Sequence, residues 1–263
     1  MKLRAILTLA AVAATTTAEP VDAWASGVCE QSGWRDYNKS FNGKDDQQCW
    51  AITAANLIDW WQELHADTLP AGTPRGEEIL HTFTQSFAND GSDPDEGISW
   101  WFTGEYKPGR DDCAALQPDC PGGYLKSLLL PGQKLQGTLL TAMREEQVTA
   151  ESAAKALIDG ALKGAAFWIG VSYTSPKGRS AMHSLNVWGI QYDTLPDGTH
   201  QLCGIWIADS DDRMTGLCYV PLKTEGGLLV FNFQQHPIYS RIRDIRIDTI
   251  TILTPNPPVI MTF

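Results

Sequence analysis

Short β-rich runs fill the chain from Ala165 onward, while helices and long polar loops fill the part before it. That segregation is the tightest constraint on the fold. Ala165–Tyr173, His183–Tyr192, Gln201–Ala208, Gly216–Leu222 and Arg246–Leu253 are rich in β-branched and aromatic residues, with Gly, Pro and Asp turns between them. Upstream, Thr149–Lys163 (TAESAAKALIDGALK) predicts a helix. Thr149 can cap it, Glu151 lies in its first turn, and Gly164 stops it. A second helix runs from Cys49 to about His65. Ile52, Leu57, Ile58, Trp61 and Leu64 recur there at three- and four-residue steps and predict one buried face. Asp45 and Asp46 suit its N-cap and first turn. Between the two helices lies a polar stretch, Ala66–Gly123, with a short helix expected at Glu77–Phe87, and Tyr124–Leu130 reads as another. No βαβ alternation occurs, so the class is α+β. The expected organisation is a helical lobe over about residues 33–164 and an antiparallel sheet lobe over about 165–263. The cleft between two such lobes is the natural active-site location.

The start of the chain reads as an export signal over Met1–Ala25. Lys2 and Arg4 precede the apolar run Ala5–Ala14, and Ala23-Trp24-Ala25 is a small-x-small cleavage site. The run is shorter than the roughly 20 residues a membrane span needs, and no other segment reaches that length. The expected location is secreted or periplasmic, with no membrane association after signal removal. Of 263 residues, 43% are apolar and 19% charged, enough for a real core. The net charge is −11, and removing residues 1–25 leaves it unchanged, because Lys2 and Arg4 offset Glu19 and Asp22. So acidic a chain is a poor partner for nucleic acid or anionic lipid.

Six cysteines in an exported chain suggest disulfides. Cys113 and Cys120 bracket the short loop DDCAALQPDC and can close it. Cys203 and Cys218 are equidistant from the turn around Asp209–Thr215, as facing hairpin positions would be; if Cys49 stays free, either Cys29 is left unpaired or the pairing differs. The Cys and His spacings supply no structural zinc motif.

Cys49 stands where a polar, glycine-containing loop gives way to a helix. Backbone N–H groups at a helix N-terminus favour a thiolate and can hold an oxyanion. The tryptophans Trp60, Trp61, Trp100 and Trp101 are expected in the core rather than along a substrate groove. A thiol nucleophile needs a base, and the base needs an orienter. Of the five histidines, His65, His81, His200 and His236 lie at helix ends, on polar surface or in turns. Only His183 opens a strong strand, HSLNVWGIQY. Asp209 and Asp211 sit in IADSDDR at the end of the next run, and antiparallel pairing would carry Asp209 back to His183. The spacing of Asp209, Asp211 and Arg213 fails as a calcium loop, and no G-x-S-x-G motif points to a serine hydrolase. Cys49, His183 and Asp209 follow the chain order of papain-like peptidases.

The segment DYNKSFNGKDDQQCWAITAANLIDWW resembles the nucleophile region of the IdeS/Mac immunoglobulin-degrading cysteine endopeptidases. MHSLNVWGIQYD resembles their histidine strand, and IADSDD their DSD turn. The resemblance implies a papain-like fold and a cysteine endopeptidase that needs no metal or organic cofactor. It implies Cys49 as nucleophile, His183 as base, Asp209 as orienter and Asp211 in support, with Lys39 joining the Cys49 N–H in an oxyanion hole. It also implies a protein substrate, immunoglobulin being the best single candidate. The same triad chemistry would serve a transglutaminase or a glutamine deamidase, and the scaffold would serve a catalytically silent secreted binding protein.

Overall fold

A computed structural model describes residues 19–40, 43–175, 177–232 and 242–257. Most of the expected signal, Phe41 and Asn42 of the loop before Cys49, and His236 lie outside the described residues. The strands are β1 (Val21–Trp24), β2 (Leu140–Met143), β3 (Ala166–Thr174), β4 (Ser180–Thr194), β5 (His200–Ala208), β6 (Cys218–Glu225), β7 (Leu228–Phe231) and β8 (Arg243–Leu253). The α-helices are α1 (Cys49–Leu64), α2 (Glu77–Ser86), α3 (Pro94–Thr103) and α4 (Ala150–Ala161).

Six strands close into an antiparallel barrel in the order β4-β3-β8-β7-β6-β5, with β5 pairing back onto β4. β1 adds to β4 outside the ring, and β2 adds to β8. This corrects the expected papain-like division into a helical lobe and a separate sheet lobe. The strands form a closed ring rather than an open sheet lobe, because β4 is hydrogen-bonded to β3 and to β5 at once. Two of its strands, β1 and β2, come from the part of the chain expected to be signal or helical lobe. Closure removes the unpaired edges that an open sheet of this size would expose.

The residues of β3 show how helices and barrel share one wall. Phe167, Ile169 and Val171 join the core formed with Leu185, Val187, Ile205, Ile207 and Ile247. The alternate residues Ala166 and Trp168 join a second core with α1 and Trp188. Successive strand side chains point to opposite faces, so this wall is apolar on both. The barrel-side core also takes Leu157, Ile158 and Ala161 from α4. The expected start and stop of α4 are present. The Thr149 side chain accepts from the Ser152 N–H, and Gly164 adopts the left-handed φ of +72° beyond the helix end.

One apolar face was expected on α1, yet every residue from Trp50 to Gln62 is buried. The helix lies between β3 and β4 on one side and α2 and α3 on the other. Trp50, Trp60, Trp61, Trp100 and Trp101 are core residues, exposed by 2% or less. Burying each such side chain contributes about 1.5–3 kcal/mol. The aromatic cluster around Trp100 belongs to α3, a helix the polar character of its surroundings concealed. Tyr124–Leu130 supplies only a single 3-10 turn, Lys126–Leu128.

The expected disulfides are not formed. Cys113 and Cys120 are thiols. Ile207, not Cys203, stands opposite Cys218, which displaces the two cysteines along the β5–β6 ladder. The loop after β5 is drawn toward Asp36 and Lys39 instead of making a symmetric hairpin turn. The Lys39 N–H donates to Ser210 O (3.0 Å), and the Gly216 N–H donates to Asp36 Oδ2 (2.9 Å).

Candidate active site

Cys49 is the first residue of α1, and Gln48 before it occupies the N-cap position. Neither expected acidic residue lies in the first turn. Asp45 turns back to accept from the Ser40 N–H (2.6 Å) and hydroxyl (2.8 Å), and Asp46 offers its carbonyl to Lys39 Nζ (2.7 Å). No carboxylate of the first turn therefore opposes a thiolate on Cys49.

His183 stands on β4 opposite Val171 of β3, and Asp209 follows the last residue of β5. Asn186 pairs with Ala208, so antiparallel pairing brings Asp209 toward His183 as expected. His183 Nε2 lies 2.6 Å from Asp209 Oδ1, with both residues buried. A carboxylate can only accept, so Nε2 carries the proton and donates it. Asp209 Oδ1 also accepts from the Asp211 N–H (2.9 Å). The remaining ring nitrogen, Nδ1, is the one left to interact with Cys49, whose thiol His183 draws below its ordinary value.

Lys39 is buried, at 8% exposure, and its ammonium is held at two points. Nζ donates to Asp46 O and forms an ion pair with Asp211 Oδ1, each at 2.7 Å. An ammonium has three N–H donors, so one remains for a developing negative charge. Asp211 is more exposed, and its second oxygen, Oδ2, stands 3.9 Å from His183 Nδ1. All five residues singled out in the sequence, Lys39, Cys49, His183, Asp209 and Asp211, thus meet at one place.

The electrostatics favour charge separation. Burial pushes the Cys49 thiol up, but the hydrogen bond and charge of His183, the Lys39 ammonium and the Ser184 backbone N–H outweigh it and leave the thiol below its usual value. Burial likewise works against a charged His183. Asp209 overrides it and, with Cys49, holds the imidazolium well above the ordinary histidine range. The Asp209 carboxyl is held low, since its charge and hydrogen bond to His183 exceed the cost of its burial. Burial opposes the Lys39 charge too, and the Asp211 carboxylate more than restores it. Both shifts run toward a thiolate–imidazolium pair, with the Asp209 carboxylate behind the ring and the Lys39 charge acting on the thiol.

Several contributors left no sequence signal. The Ser184 N–H is a backbone group, as is the Asp46 carbonyl that anchors Lys39. The packing of α1 on β4 depends on a buried polar junction. Asn56 Nδ2 donates to Asn186 Oδ1 (2.9 Å), and Asn186 Nδ2 donates to Thr53 O (3.1 Å). Asn56 Oδ1 accepts from the Tyr37 N–H (2.9 Å), which ties in the segment leading to Lys39. An asparagine in a helix or strand pattern reads as surface polarity; only the assembled fold shows it as a buried link. Among the described residues, the other histidines take no part. His65 Nε2 contacts Pro255 O (2.8 Å), and His200 contacts the Thr194 hydroxyl (3.1 Å). No helix among the described residues is long and apolar enough to cross a membrane. The chain matches no family model and no curated protein.

Proposed function

We propose that the chain is an exported cysteine endopeptidase of the IdeS/Mac type, acting through Cys49. The observation that carries this reading is the buried His183–Asp209 hydrogen bond, beside a Cys49 that opens a helix and whose thiol that histidine draws down. The Cys49 thiolate attacks a peptide carbonyl. The Cys49 N–H and the spare N–H of Lys39 Nζ hold the tetrahedral oxyanion. His183 gives its Nδ1 proton to the leaving amine, which departs and leaves a thioester. Water then attacks the thioester while His183 takes up its proton, and the thiolate is released. Asp209 keeps the ring in one tautomer and orientation throughout. Asp211 positions Lys39. The proposed substrate is a folded protein, with immunoglobulin first in line.

The test is the pH dependence of Cys49 alkylation in the folded protein, read by peptide mass spectrometry, beside His183→Ala. The expected result is an apparent pKa well below the free-thiol value of about 8.5 that rises when the ring is removed. A slow reaction indifferent to His183 would overturn the mechanism. Incubation with purified immunoglobulins, read by mass spectrometry, tests the substrate. Fragments are expected, and intact chains beside a reactive Cys49 would exclude immunoglobulin. Mass shifts without cleavage would instead mark acyl transfer or deamidation.

A further inference from the structure

We propose that Asp36 and Asn38 are positioning residues of this centre: with Lys39 they set the acid loop, residues 209–216, against the helix that begins at Cys49. This rests on the reading of Cys49, His183 and Asp209 as nucleophile, base and orienter. Residues 35–39 form a bracket that grips the loop at three points. The Gly216 N–H donates to Asp36 Oδ2 (2.9 Å), Asn38 Nδ2 donates to Met214 O (3.1 Å), and the Lys39 N–H donates to Ser210 O (3.0 Å). The same short segment is fastened to α1. The Tyr37 N–H donates to Asn56 Oδ1 (2.9 Å), the Tyr37 hydroxyl donates to Asp59 Oδ2 (3.0 Å), and the Arg35 side chain bonds that carboxylate too. Trp188 Nε1 donates to Arg35 O (3.1 Å), which adds β4 to the anchorage. The nucleophile helix and the loop bearing Asp209 and Asp211 are far apart in the chain, and the bracket references one to the other.

The loop needs such a hold. Arg213 adopts a left-handed φ of +58°, a conformation that a residue with a side chain keeps only where its surroundings impose it. Inside the loop the Asp211 N–H donates to Asp209 Oδ1 (2.9 Å) and the Met214 N–H to Asp212 Oδ1 (2.7 Å). Those bonds curl the loop without fixing it relative to α1. A shift of the loop would be felt directly at the base, because Asp209 Oδ1 is also the acceptor for His183 Nε2 (2.6 Å). Asp36 is a demanding choice for this task. Burial, reinforced by Asp212 and Asp209, pushes its carboxyl up to about 6 against the Gly216 hydrogen bond. At neutral pH it is still mostly ionised, so its bond to the Gly216 N–H is charge-assisted and stronger than one to a neutral acceptor. Stability alone gives no reason to keep a half-buried carboxylate near two others; a loop that must be held in one place does.

The experiment reads two quantities in the full-length folded protein by peptide mass spectrometry: amide hydrogen exchange over residues 209–216, and the pH profile of Cys49 alkylation. Asp36→Ala should speed exchange across the loop about tenfold or more while α1 stays protected. It should also raise the apparent pKa of Cys49 toward the free-thiol value of about 8.5, because His183 loses its fixed carboxylate. Asp36→Asn keeps an acceptor oxygen for the Gly216 N–H and should restore most of both. Asn38→Ala removes another of the three grips and carries the same prediction should Asp36→Ala not fold. Ile158→Val, on α4 in the barrel-side core, supplies a loss of stability that should move neither reading. Exchange and alkylation unchanged in both alanine variants would overturn the proposal, as would equal shifts in Ile158→Val at matched stability. The parent protein separates this inference from the reading beneath it. Fast, His183-dependent alkylation that the alanine variants leave untouched sinks the bracket alone. Slow, His183-independent alkylation in the parent sinks the peptidase, and the loop exchange would still establish or dismiss the bracket.

Discussion

Asp209 Oδ1 and His183 Nε2 are 2.6 Å apart in a buried pair, which leaves Nδ1 as the ring nitrogen available to Cys49. This relationship sets the pH window of the thiolate–imidazolium state. The window opens as pH rises through the lowered Cys49 value and closes as it rises through the raised His183 value. Asp209→Asn removes the charge that holds His183 up. The descending arm of the rate–pH profile should therefore move to lower pH, and peptide hydrolysis should fall about 10²–10⁴-fold. Arms that stay in place would show that another group holds the ring.

Stability should carry the same signature. A His183 value raised in the folded state gives stability fully present below about pH 6.5 and lost as pH rises through the folded value. An Asp209 value lowered in the folded state gives stability present above about pH 3.9 and lost as pH falls through its folded value. Both contributions coexist between about pH 4 and 6.5. The Tm difference between the parent chain and Asp209→Asn should be widest there and narrow on either side. Thermal melts from pH 3 to 10 check this, and a flat difference would mean the pair carries no charge.

Lys39 is tied to Asp46 O and Asp211, and its charge helps hold the Cys49 thiol low. Lys39→Met keeps the buried stem and removes the charge. The Cys49 thiol should then titrate at higher pH, and turnover should fall further than alkylation, because alkylation forms no oxyanion. The loss of turnover expected for one oxyanion donor is about 10²–10³-fold. Equal losses in both assays would limit Lys39 to holding the thiolate.

Much of this site was legible because its chemistry sits at element boundaries. Cys49 begins a helix whose apolar spacing is plain, and a strand and its antiparallel neighbour had to return Asp209 toward His183. Barrel closure was not legible. The β4–β5 pairing that seals the ring looks like any hairpin until β6, β7 and β8 lead back to β3. β1, β2 and β7 have four residues each, too short for a periodic signal. The displaced cysteines have a similar cause: a tertiary pull on the loop after β5, from Lys39 and Asp36, sets a register that local symmetry does not.

The junction of Asn56 and Asn186 fixes α1 against β4, and so fixes Cys49 relative to His183. Asn186→Leu keeps the forked side-chain shape but leaves Asn56 Nδ2 without its partner and Thr53 O without its side-chain donor. An unsatisfied buried polar group costs about 1–3 kcal/mol. The variant should lose stability on that scale in denaturant titration. Its Cys49 should also alkylate at higher pH, which a purely structural loss would not require.

The N-terminal strand decides where an export signal can end. Val21–Trp24 pairs with Gly189–Tyr192 of β4, and the Ala25 N–H donates to Trp188 O (2.9 Å). The Trp24 ring lies against Gly189, where an added Cβ would come within 2.4 Å of it, and its centroid is 5.4 Å from that of Trp206. The cut expected after Ala25 would take this strand away, leaving one side of Gly189–Tyr192 unpaired and Trp206 with Tyr219 but without Trp24 beside it. A cut upstream of Val21 keeps both. A chain beginning at Ser26 should melt several degrees below one beginning at Glu19, at roughly 2–4 °C per kcal/mol for a protein of this size. If the chain is exported as proposed, N-terminal mass spectrometry of the mature protein should accordingly find residues 21–25 retained. Equal melting temperatures together with a mature N-terminus at Ser26 would show that β1 is dispensable and restore Ala23-Trp24-Ala25 as the processing site.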